Sequence, residues 1–357
     1  MSRSLFARPA AALALAAALA APAAAAAQPF TSFTLFGDSY ADVGNAFRLT
    51  VGGAAAPPYD GARFSDGKVF TEYLAEALSR PTDAQGVFAN LTPAELPPGA
   101  VPVPGVTPVA GSGNYAIGGA TTTNAQGTQN QIALFLARPA VEPRTTPTGL
   151  YALFVGGNDL REAGTLSTTA ARQAAGAAAA QNVLAQATAL VGAGARNILF
   201  FTLQSPGVMP EALAVPGLSA RRDEAAAAFN AALAAGIASN LGGLAPVGTT
   251  LFNFRLDNLF ANLRADALAG GPRYGITNLA VPCLIPDNLP GASPCAQSAF
   301  VDGIHPTTGV HRIIGESVAR YVTTGQNVAL VPEPATVALV GAGVTLLGAL
   351  ARRRRAA

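Results

Sequence analysis

The sequence predicts an α/β fold in which a parallel sheet is covered by helices on both faces. Short β-rich runs alternate with longer helix-forming runs along most of the chain. Such alternation is typical of strand-helix-strand units, which build parallel sheets between two helical layers. The interval from about 30 to 325 has the length of one large domain and shows no obvious internal repeat.

The predicted elements follow in a regular order. The strands are predicted at 33–36, 114–117, 151–155, 197–203 and 249–254, and the helices at 68–78, 129–137, 168–191, 220–241, 256–268 and 308–322. Two of the helical runs are rich in alanine, the residue with the highest helix propensity. The interval 92–113 contains six prolines, which favours a surface loop there, with a flap or an acyl-binding wall as the alternative.

The polar residues of greatest chemical interest follow predicted strands. Ser39, Gly119 and Asn158 each come just after such a run. Ligands of doubly wound sheets bind at the carboxyl ends of the strands. The topology therefore predicts that these residues meet at one edge of the sheet.

Three short motifs carry the parts of a serine hydrolase site. They are Gly-Asp-Ser at 37–39, Gly-Gly-Asn-Asp at 156–159 and Asp-Gly-Ile-His-Pro at 302–306. A nucleophilic serine needs a base, an orienting carboxylate and donors for the oxyanion. The chain has two histidines, His305 and His311, so the choice of base is narrow. In isolation, Gly-Asp-Ser is also common turn and helix-capping chemistry, and Asn158 is also a fair turn former.

Longer strings around these motifs resemble the GDSL or SGNH family of esterases and lipases. These strings are FGDSYADVGN at 36–45, RFSDGK at 63–68, GNYAIGGA at 113–120, VGGND at 155–159 and DGIHPT at 302–307. There is no Gly-x-Ser-x-Gly elbow around Ser39, as the ordinary α/β-hydrolases have. The resemblance implies a three-layer α/β/α fold and extends from about 33 to 322.

The resemblance also implies a role for each matching residue. Ser39 is the expected nucleophile, His305 the base and Asp302 the carboxylate that orients it. The oxyanion donors are expected to be the backbone N–H groups of Ser39 and Gly119 and the side-chain amide of Asn158. Gly118 is the alternative to Gly119, and a plain tight turn is the competing interpretation of this glycine pair. No cofactor is expected.

Both ends of the chain read as targeting signals. A basic start with Arg3 and Arg8, an apolar run and Ala25-Ala26-Ala27 predict a signal peptide over 1–27 that signal peptidase removes. The other end has Pro-Glu-Pro at 332–334, an uncharged apolar run at 335–351 and an arginine cluster at 352–355.

This tail resembles the PEP-CTERM sorting signal of Gram-negative bacteria. It implies a sorting segment at 329–357, with a membrane helix at 335–351, that an exosortase processes. The hydrolase domain is then expected over 28–328, between the two terminal signals. We therefore expect an exported protein in the periplasm, on the cell surface or in the extracellular matrix. A plain C-terminal membrane anchor, transient or stable, is the alternative.

Composition excludes several other classes. The formal net charge is +2, but six of the 22 lysine and arginine residues lie in the terminal segments, so the rest of the chain is mildly acidic and no nucleic-acid partner is expected.

Export would favour a disulfide between Cys283 and Cys295, because exported proteins fold in an oxidising compartment. This pair also resembles the cysteines of the secreted, autotransporter-linked branch of the family. A metal site at Asp302, His305 and His311 lacks the usual ligand spacing, and His311 is expected to pack inside a helix.

The sequence therefore predicts a secreted serine esterase or lipase that hydrolyses carboxylic esters through an acyl-enzyme. The ester would be a lipid, a short acyl ester or an acylated polysaccharide, which includes polysaccharide O-acetylesterase activity. The alternative from another class is a catalytically silent matrix or adhesion protein on the same fold.

Overall fold

The computed structural model describes residues 30–50, 55, 58–80, 113–137, 145–284 and 294–330. The predicted signal peptide, most of the proline-rich interval and the helix expected at 335–351 lie outside these residues. Within them, no helix is both long enough and apolar enough to cross a membrane.

The described residues form a five-stranded parallel sheet. Its strands are β1 (Phe33–Gly37), β2 (Gly113–Asn114), β3 (Leu150–Phe154), β4 (Asn197–Phe201) and β5 (Thr250–Phe254). Their spatial order is β2-β1-β3-β4-β5, and all neighbouring pairs are parallel. β2 is shorter than the predicted strand, although Tyr115 and Ile117 still donate backbone hydrogen bonds to Leu35 and Gly37.

Helices connect and cover these strands. They are α1 (Asn45–Leu49), α2 (Phe70–Ala77), α3 (Thr128–Ala137), α4 (Gly157–Ala163), α5 (Thr169–Gly192), α6 (Pro210–Leu213), α7 (Leu218–Ala238), α8 (Leu256–Leu268) and α9 (Thr308–Thr324). Most match a predicted run within a few residues, whereas α1, α4 and α6 were not predicted.

Alternating side chains of the sheet divide between two cores. On β3, Ala152 and Phe154 pack into one core, and Tyr151 and Leu153 pack into the other. α2, α8 and α9 supply apolar residues to the first core, and α3, α5 and α7 supply them to the second. Because side chains alternate across a strand, both faces of the sheet are covered, which gives the three-layer α/β/α fold.

A disulfide joins Cys283 to Cys295, the pair that the sequence predicted from export. Beside it, the Cys283 and Leu284 backbone N–H groups donate to the carbonyls of Phe300 and Val301. The disulfide and these hydrogen bonds therefore hold the segment 295–301, which directly precedes Asp302.

Candidate active site

The loop after β1 carries Ser39 and is held from two sides. Gln131 on α3 bonds to both the N–H and the carbonyl of Gly37, at 2.9 and 2.8 Å. Asp42 accepts backbone N–H bonds from Gly44, Asn45 and Ala46, which fixes the start of α1. Ser39 is consequently fixed at the carboxyl end of a central strand, with 6% of its surface exposed.

A tight turn holds Asp302 beside His305. Asp302 Oδ1 accepts the backbone N–H groups of Ile304 and His305 at 2.8 and 2.7 Å. The turn is closed by Val301, whose N–H donates to the His305 carbonyl, and by Tyr40, whose hydroxyl donates to the Ile304 carbonyl at 2.6 Å. The three-residue spacing between carboxylate and imidazole is therefore built into the backbone.

Ser39, His305 and Asp302 lie in one hydrogen-bonded line. Ser39 Oγ is 2.8 Å from His305 Nε2, and His305 Nδ1 is 2.6 Å from Asp302 Oδ2. With its Nδ1 hydrogen directed at the carboxylate, the imidazole has Nε2 free to accept the serine proton. Residues 266 positions apart in the chain thus meet at hydrogen-bond distance.

Asn158 begins the helix that follows β3. Gly156, at the N-cap of α4, has a φ of 120°, and a Cβ there would lie within 2.9 Å of Leu203 and Phe229. This glycine permits the sharp turn that places Asn158 beside Ser39 in one cleft. Asn158 Nδ2 donates to the Ala120 carbonyl at 2.9 Å, which uses one of its two amide hydrogens.

The two glycines at 118 and 119 differ in their hydrogen bonds. The Gly118 N–H donates to Asp42 Oδ2 at 2.8 Å and so is already engaged. Gly119 has a φ of 78°, and its N–H donates to no other described residue. Gly119 also directly precedes the carbonyl that holds the Asn158 amide, although it is not among the residues that line the cleft.

The cleft beside Ser39 combines polar and apolar walls. Its polar side chains are Asp38, Ser39, Tyr40, Asn158, Arg161 and Gln204, and its apolar ones are Phe154, Leu160, Leu203, Pro206, Met209 and Ile304. The apolar wall suits a hydrocarbon group next to the nucleophile. Among the described residues, no group of three or more His, Cys, Asp or Glu side chains is arranged to hold a metal ion.

A comparison with known protein families identifies the family of this chain. Residues 33–318 match the GDSL-like Lipase/Acylhydrolase family, which is most of the chain. The chain belongs to the GDSL-like lipase/acylhydrolase family. The resemblance carried by the five sequence strings is thereby confirmed at the level of the family.

Two further similarities concern the tail and a named relative. Residues 330–355 match the PEP-CTERM protein-sorting motif, which confirms the prediction for this segment. The chain is 29% identical over 189 residues to Lipase 1 of Photorhabdus luminescens. That alignment covers 52% of this chain and 24% of the relative, so this chain matches only about a quarter of the relative's length.

The surroundings of two carboxyl groups in this lipase/acylhydrolase site shift their pKa values in opposite directions. Burial alone would raise the pKa of Asp302, but hydrogen bonds from His305 and Tyr59 hold that pKa well below its usual range. Burial raises the pKa of Asp38 to about 7, reinforced by the nearby charge of Asp159 and opposed by the Tyr40 N–H. Asp302 is thus the anion of the site, whereas Asp38 is a neutral acid below pH 7.

His311 is separate from the hydrogen-bonded line. It is fully buried on α9, and its Nδ1 accepts the backbone N–H of Phe70 at 3.2 Å. Burial lowers the pKa of His311 to about 3, so this imidazole stays neutral. It packs against Tyr40, whose ring lies between the two histidines. These contacts agree with the packing or hydrogen-bonding role that the sequence predicts for His311.

Several residues near the site had no signal in the sequence motifs. Tyr59 donates its hydroxyl to Asp302 Oδ2 at 2.5 Å. Arg161, which lines the cleft, lies 3.4 Å from Asn158 Oδ1 and makes a two-point ion pair with Glu211 at 2.8 and 2.9 Å. Glu211 in turn donates its backbone N–H to the Gly303 carbonyl.

Proposed function

We propose that this protein is a serine esterase or lipase that hydrolyses carboxylic esters through an acyl-enzyme on Ser39. The observation that carries the proposal is the continuous line from Ser39 Oγ to His305 Nε2 and from His305 Nδ1 to Asp302 Oδ2, at 2.8 and 2.6 Å. Membership of the lipase/acylhydrolase family and the distant relative named a lipase support the same activity class.

In the proposed acylation step, Ser39 Oγ attacks the acyl carbon while His305 Nε2 takes the hydroxyl proton. The resulting imidazolium is stabilised by Asp302, which stays ionised. His305 then returns the proton to the alkoxide oxygen of the leaving alcohol, and the acyl group remains as an ester of Ser39. In deacylation a water molecule gives a proton to His305 and attacks the same carbon. The bond from that carbon to Ser39 Oγ then breaks, the carboxylic acid leaves, and His305 returns the proton to Ser39 Oγ.

The tetrahedral intermediate needs donors for its oxyanion. The second Asn158 amide hydrogen, the Gly119 N–H and the Ser39 N–H are the proposed donors. For Asn158, the bond to the Ala120 carbonyl supports this role because it fixes the amide plane before substrate arrives. Arg161, which donates to Asn158 Oδ1 at 3.4 Å, supports the same orientation of the side chain.

We propose the following organisation for the whole chain. A signal peptide over 1–27 directs export and is removed by signal peptidase, the hydrolase domain spans 28–328, and the segment 329–357 is recognised by an exosortase. The match of 330–355 to the sorting motif supports this assignment. The destination is then the envelope surface, the periplasm or the matrix of a Gram-negative bacterium, with anchoring by the helix at 335–351 in at least a transient state.

The finer affiliation is to the secreted, autotransporter-linked branch of the family. The disulfide just ahead of Asp302 supports this affiliation. The acyl group is placed in the apolar part of the cleft, against Leu203 and Met209. Lipids, short acyl esters and acetylated polysaccharides share the carboxylic ester that this chemistry requires.

Replacing the nucleophile tests the proposal. Ser39→Ala is expected to abolish hydrolysis of p-nitrophenyl esters while leaving the far-UV circular dichroism spectrum unchanged. Ser239→Ala is the control, because its hydroxyl bonds the Gly236 carbonyl and the Gly242 N–H at the end of α7 and no residue of the site. Normal turnover by Ser39→Ala would reject the proposal, and folded wild-type protein without turnover on any ester would favour a silent matrix or adhesion protein.

A further inference from the structure

We propose that Tyr59 is a positioning residue for the catalytic carboxylate, acting through Asp302 on the proton transfer of His305. This inference rests on the proposed function. The Tyr59 hydroxyl donates to Asp302 Oδ2 at 2.5 Å, and the two residues are 243 positions apart in the chain. Neither the sequence motifs nor the family comparison assigns a role to Tyr59.

Asp302 receives one donor at each acceptor position. Oδ1 accepts the N–H groups of Ile304 and His305. Oδ2 accepts His305 Nδ1 and the Tyr59 hydroxyl. A carboxylate oxygen has two lone pairs, so the four bonds saturate the group. Tyr59 is the only one of these donors that comes from outside the turn, and it therefore stops the carboxylate from rotating away from the imidazole.

Because Tyr59 and His305 donate to the same oxygen, Asp302 Oδ2, Tyr59 also affects the charge that His305 experiences. A hydrogen bond to Oδ2 withdraws negative charge from the atom that stabilises the imidazolium during catalysis. Burial and the adjacent Asp302 raise the pKa of Tyr59 well above its usual range, so the phenol remains a donor at working pH. Loss of the phenol would leave Oδ2 to His305 alone and favour the protonated imidazole.

The Tyr59 ring packs independently of its hydroxyl. It meets His305 edge-on with ring centroids 6.3 Å apart and lies 5.8 Å from Phe64. Phe64 stacks on His305 at 5.1 Å. A Tyr59→Phe substitution keeps these ring contacts and removes only the donor.

Other groups that face the dyad are the same in this variant. They are the Tyr40 hydroxyl on the Ile304 carbonyl, the Arg161 guanidinium, whose charge acts on Asp302, and His311, which interacts with the charge of His305. The Asp38 carboxyl, which lines the cleft beside Ser39 and whose pKa burial raises to about 7, is also unchanged. A change in the pH profile of Tyr59→Phe is therefore attributable to the missing phenol.

The test compares pH profiles of kcat/KM for the wild type, Tyr59→Phe and Tyr73→Phe with a p-nitrophenyl ester. Tyr59→Phe is expected to lower kcat/KM about tenfold, mainly through kcat, and to move the acid limb by about half a pH unit to higher pH. Tyr73→Phe is the matched control because it removes a hydroxyl that bonds Thr308 Oγ1 and no triad atom. Its profile is expected to match the wild type.

A uniform loss across all pH values, or a profile identical to the wild type, would overturn the inference. As a second perturbation, 3-fluorotyrosine at position 59 strengthens the donor without loss of shape, and it is expected to move the acid limb to lower pH. No movement there would also overturn it. Failure of the proposed function is distinguished by Ser39→Ala: turnover in that variant rejects the function, whereas its loss together with an unaltered Tyr59→Phe profile rejects only the role of Tyr59.

Discussion

Asp38 makes a prediction about stability because this carboxyl group is buried beside the nucleophile. It is 4% exposed, its Oδ1 accepts the Tyr40 N–H at 3.1 Å, and burial raises its pKa from 3.8 to about 7. Between these two values the native protein holds a proton that the unfolded chain has released. The free energy of unfolding therefore falls as the pH rises from about 4 to about 7 and is level above that.

The size of this effect follows from the difference in pKa. One pKa unit corresponds to about 1.4 kcal/mol, so the whole interval is equivalent to about 4 kcal/mol, and the part above pH 5 to about 3 kcal/mol. Asp38→Asn keeps the carbonyl acceptor for Tyr40 but has no proton to lose. The stability of the variant relative to the wild type is expected to be about 3 kcal/mol greater at pH 8 than at pH 5.

Urea unfolding at both pH values measures this difference. Far-UV circular dichroism is the suitable signal, since the chain has no tryptophan. Burial also raises the pKa of Asp42 and Asp159, and because both groups interact with the charge of Asp38, Asp42→Asn and Asp159→Asn are measured beside Asp38→Asn. An equal stability difference at pH 5 and pH 8 would show that the Asp38 carboxyl is not held neutral, and the reasoning would be wrong.

The oxyanion donor and the disulfide give two further predictions. Asn158→Ala is expected to lower kcat by about 10² to 10³ with little change in KM, and steady-state kinetics on p-nitrophenyl esters would contradict the donor role if KM changed instead. Replacing both Cys283 and Cys295 with Ser opens a loop whose ends are 12 residues apart, which is expected to cost up to about 3 kcal/mol of unfolding free energy. Equal urea midpoints for this double variant and the wild type would contradict that expectation.

Much of the fold followed from local sequence signals. The strand at 33–36 is a run of buried residues that ends at Gly37, and the alanine-rich helix predicted at 168–191 was found as α5 because its propensity and its packing agree. The three-residue spacing of Asp302 and His305 indicated the turn that holds them together. In these places local preference and tertiary packing favour the same structure.

The unpredicted parts depend on contacts between distant residues. α4 has seven residues, too few for a helix that is stable on its own. The Gly-Gly pair at its start is typical of a turn, and only in the folded chain do Leu203 and Phe229 pack against Gly156. The predicted strand at 114–117 is shortened to Gly113–Asn114, since β2 lies at the edge of the sheet and pairs with β1 alone. Tyr59 lies in a segment without periodicity, and only the folded chain brings its hydroxyl to Asp302.

Covalent labelling with a fluorophosphonate tests the proposed nucleophile most directly. The folded wild-type protein is expected to lose esterase activity as it gains one phosphonyl group, and peptide mass spectrometry is expected to locate that group on Ser39. Ser39→Ala is expected to remain unlabelled. An adduct on another residue, or full esterase activity with Ser39 unmodified, would contradict the assignment of this serine as the attacking group.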